Sequence, residues 1–214
     1  MLDEFWSIES LVKAVHCAAS LDRLSNNGRW TDAVSPWRGD ITPLEVGAIV
    51  NAANSGLTGC YVPFHACVDN AIHTAAGPRL RQACEAIMVR RGRPEPVATA
   101  TVTPGFYLLA EHVLHTVGPM VHGGDPSPAD GRALAGCYRS SCLEAAMAMQ
   151  LDSIAFCAIS TGICGYPKGT AARVSLSAIQ ESLASDTGSP HVVLVAFSAA
   201  DEAVYRNAIE ETLV

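Results

Sequence analysis

Charge is scarce in this 214-residue chain. Asp, Glu, Lys and Arg together make up 16% of it, and no basic run occurs. With 14 Lys and Arg against 21 Asp and Glu, the net charge is −7. That excludes the electrostatic footprint of a nucleic-acid-binding protein. Long apolar runs are missing as well: none reaches the roughly 18 residues of a membrane span. The opening MLDEFWSIES is acidic, where a signal peptide would be basic and then apolar. No segment repeats. These absences predict a soluble, cytoplasmic protein with no nucleic-acid and no membrane partner. An anionic small ligand is not excluded, because backbone N–H groups bind phosphates without Lys or Arg.

Apolar residues are plentiful, at 49%, which is enough for a core and too much for a disordered chain. The length suits one large domain or one domain with an extension. Of the eight cysteines, Cys17, Cys84, Cys137, Cys142 and Cys157 sit in apolar or helical contexts. In a reducing compartment these are expected to be buried as small hydrophobes.

Ile8, Leu11, Val12, Val15 and Ala19 recur at helical spacing, which predicts an amphipathic helix over 8–24. The turn-rich SNNGRW follows, and an N-terminal helical extension is expected to end near Ser35, giving units 1–36 and 37–214. Trp6, Trp30 and Trp37 near this boundary read as packing anchors. Beyond it, strands are predicted at 46–50, 97–102, 111–117, 154–159 and 192–197. Helices are predicted at 64–76, 80–89, 134–149, 172–183 and from 200 to the end. Strands alternating with helices imply an α/β domain with helices on both faces of the sheet. Ligands of such sheets bind at loops leaving the carboxyl ends of strands, and 51–63 and 160–167 have that placement.

The first loop carries Asn51 and Asn54, two glycines and small residues, so a ligand can approach its backbone closely. The alternative for the asparagines is turn formation. Cys60, His65 and Cys67 follow within eight residues, and thiolate and imidazole are the ligands zinc prefers. Three ligands leave a position open, as in a catalytic rather than a structural site. Two buried cysteines and an unrelated histidine are the alternative. Asp69, four residues after His65, faces the same side if a helix has begun there. It would then support the metal or act on water as a base, or else be a helix-start carboxylate facing the dipole. In the second loop, two glycines and two hydroxyls before a helix make a phosphate cradle, although Lys168 lacks a P-loop setting. Tyr166 would stack on a ribose or base, or simply pack. Cys164 would line the pocket rather than ligate a metal. His73 reads as a helix-packing residue and His115 as a structural residue at a strand end.

Taken together, G-D-I-T at 39–42, A-I-V-N-A-A-N-S at 48–55, D-N-A-I-H-T-A-A-G at 69–77, H-T-V-G-P at 115–119 and S-T-G-I-C-G-Y-P at 160–167 resemble the macrodomain family. The G-C-Y-V-P-F-H-A-C segment at 59–67 resembles its zinc-dependent subclass of microbial protein-ADP-ribose hydrolases, which also carries an N-terminal helical extension. The resemblance implies a three-layer α/β/α fold with a mixed sheet. It implies a hydrolase that binds ADP-ribose, uses one zinc ion per chain and removes mono-ADP-ribose from modified protein side chains. Asp40 would hold the adenine amino group, with the Ile41 backbone beside it. Ser160, Thr161, Gly162, Ile163, Cys164, Gly165 and Tyr166 would wrap the diphosphate. Cys60, His65 and Cys67 would bind zinc. Asn54, and after it Asn51, would act at the distal ribose, with Asp69 as base or as support for a ligand. The rival readings are an ADP-ribose reader with a structural zinc, a hydrolase of a metabolite such as O-acetyl-ADP-ribose, and an unrelated zinc hydrolase.

Overall fold

The computed structural model describes residues 30–62, 65–184 and 189–212. The helix expected over 8–24, Trp6 and Cys17 lie outside the described residues. A short 3-10 turn, Trp30–Ala33, leads into β1, Val34–Arg38. The sheet continues with β2 (Ala48–Ala52), β3 (Ala100–Pro104), β4 (His112–Thr116), β5 (Ser153–Phe156) and β6 (His191–Ala196). Their spatial order is β1-β6-β5-β2-β4-β3. The first five in that order run parallel, and β3 runs antiparallel to β4 at the edge, so the sheet is mixed.

The central strands are apolar on both faces because helices cover both. Ile49, Val50, Ile154, Phe156, Val192 and Leu194 are all fully buried. Helix α1 (Val68–Ala76) packs on α2 (Pro78–Arg91) and on β2, while α2 packs on β3. On the other side are α3 (Pro128–Gly136), a π-helical segment (Cys137–Leu143) and α4 (Glu144–Ala148), followed by α5 (Lys168–Leu183) and α6 (Ala199–Thr212). Within this second set α3, the π segment and α6 all pack on α5, and α6 also reaches β1 and β6. The result is the three-layer α/β/α arrangement.

Three departures from the sequence expectation have physical causes. Strand β1 went unpredicted because Pro36 interrupts a short, weakly alternating segment. At the sheet edge, paired only to β6, a proline costs no ladder bond on its free side. The sheet therefore takes in Val34, Ser35 and Pro36, which the expected boundary left outside. Helix α1 starts at Val68 and not at 64, because Cys67 caps it: the Cys67 Sγ accepts from the Asn70 N–H at 3.4 Å. The helix expected over 134–149 starts earlier, at Pro128, where Ser127 and Asp130 form a capping box. Its middle is wound as a π-helix. Trp30 and Trp37 pack against the core as expected. The Trp37 ring lies so close to Gly39 that a Cβ there would stand 2.3 Å from it.

Because five strands are parallel, the segments after β1, β2, β4, β5 and β6 all emerge on one edge of the sheet. Both loops singled out in the sequence lie there.

Candidate functional site

The loop after β2 folds around Asn54. Its Oδ1 accepts from the Gly56 N–H (2.9 Å) and its Nδ2 donates to the Gly59 carbonyl (3.1 Å), so the turn-forming role is realised. Asn54 itself is exposed. Leu57 is fully buried and pins the loop to the core. Gly59, at φ +84°, passes so close to His73 that a Cβ would stand 2.9 Å from its ring. This turn delivers Cys60 to the end of α1. Its Sγ lies 3.3 Å from His65 Nδ1, and the ligand atoms of Cys60, His65 and Cys67 all lie within 4.8 Å of one another. Tetrahedral zinc, with bonds of ~2.3 Å to sulfur and ~2.0 Å to nitrogen, needs ligand atoms roughly 3.5 Å apart, so this donor set fits the ion. All three residues are half-buried, which leaves the site an open side. Burial, then the neighbouring Cys60, raises the Cys67 thiol above its ordinary value. A divalent cation would reverse that preference. The Arg81 guanidinium stacks 4.5 Å over the Tyr61 ring and braces the loop from below.

Asp69 does not share a helical face with His65, because the helix has not begun there. Its partner at helical spacing is His73, whose Nε2 stands 3.6 Å from Asp69 Oδ1. Asn51, at the end of β2 and fully buried, donates from Nδ2 to Asp69 Oδ1 at 2.8 Å and also lies 3.2 Å from His115 Nδ1. Asn54 Nδ2 is 3.5 Å from the other carboxylate oxygen. Burial raises the Asp69 pKa, opposed by the Asn51 hydrogen bond and by His73 and Arg81. His115 Nε2 continues to Thr103 Oγ1 (2.9 Å), with Cys84 Sγ at 3.8 Å. Burial pushes the His115 pKa down to about 3 and the Cys84 thiol up to about 12, so both are neutral. His73, Cys84 and His115 also form a second group with metal-ligand spacing. There, both ring nitrogens of His115 already have protein partners.

A cavity of about 430 Å³ opens between the segment after β1 and α1, lined by Asp40, Thr42, His65, Cys67 and Asn70 among others. That is within the size range of small-molecule sites. Asp40 is exposed, and its Oδ1 accepts from the Thr42 N–H at 3.0 Å; Ile41 is buried. Phe197, one residue past β6, is 77% exposed beside this segment, since the Gly39 N–H bonds to the Ala196 carbonyl.

The loop after β5 does not line this cavity. It packs instead on the segment after β4, where the Val121 N–H donates to the Cys164 carbonyl (2.8 Å). Gly118 allows the approach, since a Cβ there would stand 2.1 Å from Ser160 Oγ. Ser160 is buried at φ +63°, a strained conformation for a serine. The loop closes through the Gly165 N–H to the Gly162 carbonyl and the Tyr166 N–H to the Ser160 carbonyl, both 3.0 Å. Among the described residues, the N–H groups of Gly162, Ile163 and Cys164 have no protein acceptor, which leaves consecutive donors for an anion. Thr161 Oγ1 is bonded to the Ala158 carbonyl. The Tyr166 side chain is 2% exposed and belongs to the core, so packing prevails over stacking.

Sequence reasoning read His73 as a helix-packing residue, His115 as structural at a strand end and Cys84 as a buried small hydrophobe, and it did not consider Thr103 or Phe197. The available signal was polar residues at inward positions of strands, as in the fully buried His115 of β4.

Fold and site together define a mixed-sheet α/β domain with three residues that could hold a metal ion and a loop of consecutive unbonded N–H groups on one sheet edge. A family model for the Macro domain matches residues 50–175. A protein-ADP-ribose hydrolase of Treponema medium is 47% identical over 179 residues, 84% of this chain and 66% of that protein. The chain thus spans just under two thirds of that relative's length. A macro domain-containing protein of Xanthomonas axonopodis pv. citri is 45% identical over 82% of this chain and 94% of its own length. Among solved structures, a variant of the Oceanobacillus iheyensis macrodomain with ADPR superposes with a TM-score of 0.76 at 35% identity, covering 84% of this chain and 93% of that one. The chain belongs to the Macro domain family.

Proposed function

We propose that this protein binds ADP-ribose along the carboxyl edge of the sheet. With zinc held by Cys60, His65 and Cys67, it hydrolyses the bond between mono-ADP-ribose and a modified protein side chain. The observation that carries this reading is that Asp40 and Thr42 share one cavity with His65, Cys67 and Asn70, which joins a nucleobase-reading segment to the metal triad. The relatives support it: one is a protein-ADP-ribose hydrolase and one was solved with ADPR.

In this reading Asp40 takes the adenine amino group, beside the Ile41 backbone, and the exposed Phe197 ring offers a face for the base. Free N–H groups of 162–164 bind the diphosphate within the segment 160–166. Asn54, at the loop tip, orients the distal ribose. Asp69, held by two amides, accepts the proton of the attacking water. Zinc held by Cys60, His65 and Cys67 would supply Lewis-acid polarisation of an oxygen near the reacting centre. The protein acts where ADP-ribosylated proteins occur, in the cytoplasm. Among the described residues no helix is long and apolar enough to cross a membrane. In this reading the macrodomain begins with β1 at Val34, and the residues before it are an extension to it.

One preparation tests this. Zinc per chain, ADP-ribose affinity and ADP-ribose release from modified proteins are measured on wild type, Cys60→Ala and Asn54→Ala. One zinc per chain is expected, with Cys60→Ala losing metal and turnover and Asn54→Ala keeping metal and losing turnover. Binding without release identifies a reader; release from metabolites alone identifies the metabolite hydrolase; failure to bind ADP-ribose rejects the reading.

A further inference from the structure

We infer that Thr103 and His115 are positioning residues, which fix the catalytic carboxylate of Asp69 through the amide of Asn51. The inference rests on the hydrolase reading above. It starts from register. His115 pairs with Asn51 across β2–β4 and with Thr101 across β3–β4, so Asn51 and Thr103 flank it on the same face of the sheet. Thr103, His115 and Asn51 are 1%, 0% and 0% exposed, and Asp69 is 6% exposed. No water competes for the bonds between them.

The direction of each bond follows from the Asn51 amide. Its Nδ2 stands 2.8 Å from Asp69 Oδ1 and donates to it. Its second hydrogen faces His115 Nδ1 at 3.2 Å, so Nδ1 accepts and the ring proton sits on Nε2. That N–H donates to Thr103 Oγ1 at 2.9 Å. Both Asn51 hydrogens are thus used inside the protein, and its Oδ1, also buried, has no partner. The Asn51 N–H groups are therefore spent on holding Asp69 and His115. Asn54 Nδ2, 3.5 Å from the second carboxylate oxygen, restrains Asp69 weakly by comparison. The line of bonds therefore runs from edge strand β3 through β4 and β2 to the start of α1. It is lost if His115 takes the other tautomer, because two N–H groups would then face each other.

The test combines two readouts on zinc-loaded protein. Two-bond 1H–15N spectra of the histidine side chains report the tautomer. They should show His115 protonated at Nε2 in wild type and a changed His115 signal in Thr103→Val, which keeps the shape and removes the acceptor. Kinetics should show kcat for ADP-ribose release reduced about fivefold in Thr103→Val, the worth of one hydrogen bond. KM and ADP-ribose affinity should stay within about twofold, zinc content should not change, and Thr103→Ser should restore kcat. A wild-type His115 protonated at Nδ1 overturns the inference, and this holds even if Thr103→Val does not fold. An unchanged kcat in Thr103→Val, or a loss that falls on KM or that serine does not restore, overturns it as well. A wild type that releases no ADP-ribose rejects the hydrolase reading and this role with it; an active wild type matched by Thr103→Val rejects the role alone.

Discussion

Acidification should destabilise this fold through its buried histidines, His115 foremost. His115 is fully buried between Asn51 and Thr103, and the titratable groups facing it are His73 and Asp69 from α1 and Cys84 from α2. Burial, with His73 adding to it, lowers its pKa to about 3, against ~6.5 in an unfolded chain. The folded state then binds fewer protons than the unfolded state between these values. Stability is intact above about pH 6.5 and is lost progressively as the pH falls toward 3. At pH 5 the unfolded chain carries the proton and the folded one does not. The pKa gap spanned is about 1.5 units at 1.36 kcal/mol each, or about 2 kcal/mol. Urea unfolding of wild type and His115→Gln at pH 7 and pH 5, in chelator throughout so that metal release plays no part, isolates this contribution. Wild type should lose about 2 kcal/mol more than the variant between the two pH values. Equal losses, to within about 0.5 kcal/mol, would show that His115 is hydrated or protonated in the native state and would refute the reasoning.

Two further outcomes follow from the packing of the site. Gly118→Ala puts a methyl group 2.1 Å from Ser160 Oγ and 2.7 Å from Ile159 Cγ2. It should cost about 1–3 kcal/mol in thermal unfolding and weaken ADP-ribose binding at least about tenfold by calorimetry, since the loop after β5 must move. Unchanged affinity would detach that loop from ligand binding. Alkylation of native, metal-free protein at pH 8, read by peptide mass spectrometry, should label the half-buried Cys60, Cys67 and Cys164 and spare Cys84, Cys137, Cys142 and Cys157. Burial raises the thiol pKa of all four spared residues, to about 12 for Cys84 and Cys157. Zinc should then protect Cys60 and Cys67 only. Labelling of Cys84 ahead of Cys60 would contradict the burial described.

The alternation of strands and helices was legible because each element states its own period, and five of the six strands announced themselves as apolar runs or alternating segments. Strand β1 did not, since Pro36 is tolerated there only by virtue of an edge position that the local sequence does not reveal. The closeness of Cys60, His65 and Cys67 was legible for a similar reason: they fall within eight residues, so spacing alone limits how far apart they can lie. Asn54 and Tyr166 show where such reading stops. The first proved to be a turn builder as well as a site candidate, decided by its hydrogen bonds to Gly56 and Gly59, and the second a core residue, decided by burial.

The sequence by itself determined the fold class, the motifs that mark the family and the three candidate metal ligands, because these depend on local periodicity and short spacing. Tertiary structure alone decided what surrounds Asp69. Asn51 and His115 are 64 residues apart, and Thr103 and His115 are 12 apart. They meet because the pairing register of β2, β4 and β3 brings their side chains to one face of the sheet. A register of that kind is set by burial across the whole sheet and cannot be read from any one of its strands.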